Sequence, residues 1–145
     1  MIVDDNTYKT VIESLEERIC AIKEAEKKFI EADSKENFND YLMNYFENKS
    51  SLFDWEKEIL PKLNEDFPNI LRLVFQNLSV DEEILGKFKN LSPNEKRILI
   101  KNLEVTTLVM KINTDINKRL KAINSEEEKV YLSFENAIKI LNDNL

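Results

Sequence analysis

Histidine is absent, and glycine, cysteine and tryptophan occur once each in 145 residues. Without histidine the commonest general base and the commonest metal ligand are both missing. Ser-His and Cys-His nucleophile pairs are therefore excluded. So is a carboxylate di-iron centre, which draws Glu-x-x-His pairs into a bundle. A lone Cys20 allows no internal disulfide and no cysteine metal cluster. Flanked by Ile19 and Ala21-Ile22, it is expected as a small buried hydrophobe. One glycine, Gly86, cannot supply the turns and bulges of a sheet protein or the close backbone approach of a phosphate-binding loop. These shortages leave an all-helical chain.

Long apolar runs are also missing. Stretches such as Leu73-Val74-Phe75 are far too short to cross a bilayer, so no membrane association is expected. The start, MIVDDNTYK, has no apolar signal core, and the expectation is a soluble, cytoplasmic protein.

What is present suits a core. Apolar residues make up 42% of the chain, too many for disorder, and the length fits one domain over residues 1–145. The predicted fold is an all-α bundle of four to six helices, with long first and last helices. Tyr8, Leu15, Ile22 and Phe29 recur every seven residues, with Ile12 and Ile19 between them, over a first helix from about Asn6 to Ala32. Asp33 with Glu36 fits a capping box for a second helix. That helix carries Phe38, Tyr41, Leu42, Tyr45, Phe46, Leu52, Phe53, Trp55, Ile59 and Leu60, and its aromatics are expected in the core. Pro61 stops or kinks it, and Pro68 belongs to the first turn of a short buried helix after Asp66. Ser79 with Glu82 predicts another cap, before Ile84, Leu85 and Phe88.

The stretch LSPNEKRIL, Leu91 to Leu99, opens like the first helix of a helix-turn-helix: Ser92 as N-cap, Pro93 at the first position, Glu95 closing the box. A DNA-binding motif then needs a tight turn within about a dozen residues, and Ile100 to Leu120 holds none. The expectation is one structural helix, carrying Leu99, Leu103, Val109, Ile112, Ile116, Leu120 and Ile123. The stripe resumes at Val130, Phe134, Ala137 and Leu141. Ser125 with Glu128 offers a restart, but a helix persisting or bending slightly to the end is favoured.

Charge is unevenly spread. Residues 87–121 hold nine basic against three acidic residues, +6, in a chain of net −7, whereas residues 1–86 carry ten basic against twenty acidic, −10. The internal explanation is preferred: the basic helix lies antiparallel against the acidic first half. The alternative is an external anion bound by the basic patch of Lys111, Lys118, Arg119 and Lys121. Acidic runs such as Glu16-Glu17, Asp81-Glu82-Glu83 and Glu126-Glu127-Glu128 suit helix starts and solvated faces rather than a catalytic pair.

The residues therefore name no catalytic group, no cofactor and no metal site. They point to a non-enzymatic module that binds another protein, and a homo-oligomer stays open. If Val130, Phe134, Ile138 and Leu141 lack internal partners, they form a docking stripe for such a protein. Two stretches, AIKEAEKKFIEADSKENFNDYLMNYFENKSSL and LVMKINTDINKRL followed by YLSFENAIKIL, resemble bacterial flagellar type III export chaperones of the FlgN and FliT type. That resemblance implies a cytoplasmic holder of late flagellar subunits, with cargo contacts around Ile116, Leu120, Val130, Phe134 and Ile138. Two other readings stand beside it. One is a small acidic phage or mobile-element inhibitor of a nucleic-acid enzyme. The other is a helical subunit of a nucleoprotein complex using residues 87–121.

Overall fold

The computed structural model describes residues 4–31, 55–119 and 125–145. Among them the structure is all-α, a helical bundle with no strand: α1 (Asp5–Glu31), α2 (Trp55–Glu58), a 3-10 turn (Leu60–Lys62), α3 (Asp66–Asn77), α4 (Glu82–Lys89), α5 (Pro93–Arg119) and α6 (Ser125–Asp143). The predicted cap at Asp33 and Glu36, and the aromatics from Phe38 to Phe53, lie outside the described residues.

Local chemistry sets the helix ends. Asp4 Oδ1 accepts from the Thr7 backbone N–H at 2.7 Å, capping α1. That bond holds the exposed Asp4 carboxyl below the ordinary aspartate range. Pro61 falls within the 3-10 turn and Pro68 within the first turn of α3, as their missing N–H groups require. Leu78 ends α3 in the left-handed region, φ 53°, with its N–H returning to Val74 O at 2.9 Å. A leucine there costs about 1–2 kcal/mol, and its half-buried side chain packs against the core in compensation. The cap of α4 is Asp81, whose Oδ1 accepts from Ile84 N at 2.9 Å; this corrects the expected start at Ser79. Asp81 lies directly before the first helical residue, where a short carboxylate reaches the third N–H.

The strongest junction forms where α5 begins. Ser92 Oγ accepts from Glu95 N, and Glu95 Oε1 accepts from Ser92 N at 3.1 Å, completing the predicted capping box. The other oxygen, Oε2, accepts from the backbone N–H of Asn64 at 2.8 Å. One buried carboxylate thus caps α5 and ties down the entry to α3. Nearby, Asn90 Nδ2 donates to Asp66 Oδ2 at 3.2 Å, and Lys96 lies 5.6 Å from the centre of the Phe88 ring.

Two expectations about helix direction fail. The long helix does not run on to the C-terminus. Lys111 Nζ stands 4.0 Å from Glu135 Oε1, whereas a continuous helix would separate these residues by about 36 Å. α5 and α6 therefore pack side by side and antiparallel. Nor does α1 oppose α5. Asn94 Nδ2 donates to Asp5 Oδ1 at 3.2 Å near both starts, and Ile22 and Ala25 meet Ile112 further along. These two helices run parallel, an arrangement open to them because a long stretch of chain separates them in sequence.

The main core joins Val11 and Leu15 of α1 to Trp55, Phe67, Ile70, Val74, Ile84, Phe88, Ile98, Leu99, Leu103, Phe134, Ala137 and Leu141. Trp55 meets Phe67 edge-on, ring centroids 6.2 Å apart, while Arg18 grips both oxygens of Glu56 and so holds α2 against α1. Val11 takes the fully buried place that the heptad reading offered to Ile12, which is only partly covered. Cys20 is exposed rather than buried. In a helix it projects about 100° from its neighbours Ile19 and Ala21, so apolar neighbours in sequence do not bury it.

Replacing Glu95 by Ala should lower unfolding stability by about 1–3 kcal/mol, because it orphans the Ser92 and Asn64 amides together. The measurement is a urea or thermal midpoint. Gly86→Ala should shift that midpoint the other way, by about 0.5–1 kcal/mol. Gly86 is helical, and an added Cβ meets nothing within 4 Å.

Candidate interaction surfaces

The residues expected to form a docking stripe on the last helix are not equivalent in the fold. Phe134 and Leu141 are fully buried in the core, and Val130 and Ile138 are partly buried against it. Three turns of a helix packed on α5 have no freedom to expose all four, since the ridge facing the neighbour is the ridge bearing the largest apolar groups. Two further members of the expected set are not described: the side chain of Ile116, and all of Leu120.

A neighbour that the sequence reading placed in the core marks the surface instead. Phe75 of α3 stands edge-on to Phe134, ring centroids 4.9 Å apart at 79°, and remains 43% exposed. The seam between α3 and α6 therefore presents a half-open aromatic ring set edge-to-face against a buried one. α3 is apolar on more than one face. Phe67, Ile70 and Val74 take the core side, so Phe75, 100° round from Val74, is carried to the rim. Helical phase was the available signal for this.

Among the described residues of the basic segment, charge is met internally at three positions. Lys87 lies 3.9 Å from Asp66, Lys101 lies 3.6 Å from Glu104, and Lys111 pairs with Glu135. Such partly exposed pairs are each worth under about 1 kcal/mol, but they reduce the charge offered to an external anion. The side chains of Lys118 and Arg119, and all of Lys121, lie outside the described residues.

A second surface feature lies across α1, α5 and the end of α6. It is a depression of about 240 Å³ floored by Ile12 and Ile100 and rimmed by Tyr8, Glu16, Arg97 and Lys101. The described residues include no group of three or more Cys, Asp or Glu side chains placed to hold a metal ion. No helix among them is long and apolar enough to cross a membrane.

Core and rim roles separate by mutation. Phe134→Ala should cost about 3–5 kcal/mol, since it empties a fully buried aromatic site. Phe75→Ala should cost only about 1 kcal/mol, mostly the edge-to-face contact. Chemical denaturation of both variants measures the difference. Comparison with known proteins adds no constraint: no family model, curated protein or solved structure matches this chain.

Proposed function

We infer that this chain is a non-enzymatic helical module that binds another protein. The observation that carries this is the half-exposed Phe75 ring on Phe134, at the seam of α3 and α6, with Val130 and Ile138 of α6 only partly covered. Rigid aromatic groups with one face open and one face supported by a packed core make strong anchors for protein partners. The narrower form of the proposal is a cytoplasmic export chaperone that contacts its cargo through this last helix. What supports it is the likeness of residues 21–52, 108–120 and 131–141 to flagellar export chaperones.

Burial of Phe134 and Leu141 shapes the proposal. A partner engaging α6 in its packed position finds Leu132 and Phe75 exposed and Val130 and Ile138 partly covered. A partner that takes the whole apolar ridge of α6 has to displace that helix from α5. The internal pairing of Lys87, Lys101 and Lys111 favours protein over nucleic acid as the ligand of this chain.

The test is an affinity pull-down from source-cell lysate with and without nuclease, using the unaltered chain and Phe75→Asp. The expected result is one stoichiometric, nuclease-resistant protein whose recovery falls roughly tenfold with the variant, as loss of an interface anchor entails. Circular dichroism should show the variant still folded. Recovery of only nuclease-sensitive material would overturn the reading. A flagellar subunit as the recovered protein would support the chaperone form.

A further inference from the structure

We propose that the groove between α1 and α5 docks a two-turn amphipathic helical segment of a partner protein, with a carboxylate at one end and a cation two turns further along. This rests on the protein-binding reading but uses different residues from the Phe75 seam. Ile12 and Ile100 lie in the groove within the 240 Å³ depression, which Asn142 and Leu145 also line. Its walls are two parallel helices in the register set by the Asp5–Asn94 hydrogen bond, which brings Arg97 level with Tyr8. Glu16 then stands eight residues up α1 from that level, about 12 Å along the groove. Lys101 and Glu104, between these two positions, neutralise each other at 3.6 Å. Arg97 and Glu16 have no ion-pair partner among the described residues.

The groove thus carries one open cation and one open anion, with Ile12, Ile100 and the mutually neutralised Lys101–Glu104 pair between them. That charge pattern selects the occupant. The charges of a single amino acid cannot span about 12 Å, whereas seven or eight helical residues cover it with both charged side chains on one face. An extended peptide is disfavoured for a separate reason. The walls are helices whose backbone groups are already bonded internally, so they offer an incoming strand no ladder; a helix brings its own.

The experiment pans a phage-displayed library of helical peptides, each about 16 residues, against the purified full chain. Enriched sequences should carry an acid and a base seven or eight positions apart, flanking aliphatic residues. Arg97→Glu should weaken a selected peptide by roughly tenfold, and changing the peptide's acid to lysine should restore binding. Glu16→Lys should behave reciprocally, and the exposure of both residues leaves the fold intact in either variant. No enrichment, or binding indifferent to both reversals, would overturn the proposal. Peptides lost on Phe75→Asp instead would overturn the groove while keeping the protein-binding reading. A concentration-dependent dimer broken by Arg97→Glu would overturn it in favour of a second copy of this chain.

Discussion

The Glu95 carboxylate at the start of α5 organises this fold. A buried carboxyl group is stable only if its lone pairs are used, and here they accept from Ser92 N and Asn64 N. The first bond fixes where α5 begins. The second fixes where the chain enters α3, thirty-one residues earlier. Because the acceptor is one rigid carboxylate, the two positions cannot vary independently. Phe67, Phe88 and Ile98, each within three residues of a partner in this junction or of Glu95 itself, are buried in the main core, so polar placement and apolar burial specify the same arrangement.

α5 is the helix on which the bundle hangs. α1 lies along it in the same direction and α6 in the opposite one, and among the described residues the short helices α2 to α4 supply Trp55, Phe67 and Phe88 to the core. Two consequences bear on binding. Packing α6 against α5 internalises Phe134 and Leu141, which leaves Phe75 as the open edge of the aromatic cluster. Aligning α1 with α5 sets an acidic helix beside a basic one without matching every charge, since the separations are set by backbone register rather than by the charges. Exposed ion pairs are too weak to shift that register.

Residues within a few positions of one another were legible in the chain. Capping at Ser92 and Glu95, the helix starts near Pro68 and Pro93, and the all-helical class follow from short-range sterics and hydrogen bonding, and these are what the structure shows. Glycine shortage carried the class by itself. The error at Ser79 was also local: a second candidate cap, Asp81, lay two residues on, and backbone conformation chose between them. Cys20 and Phe75 lie outside the core despite their apolar flanks, because residues adjacent in sequence point about 100° apart on a helix.

Composition and spacing therefore determined that this protein is a bundle of amphipathic helices without histidine chemistry, and where α1, α3 and α5 start. Tertiary structure alone decided that the chain turns back after α5, that α1 runs parallel to α5, and that Phe134 is core while Phe75 is rim. Amphipathic periodicity shows which face of a helix is apolar, but it is the same for a parallel and an antiparallel neighbour and for an internal and an external one. Only the assembled core, with its volumes and its one shared carboxylate, distinguishes them.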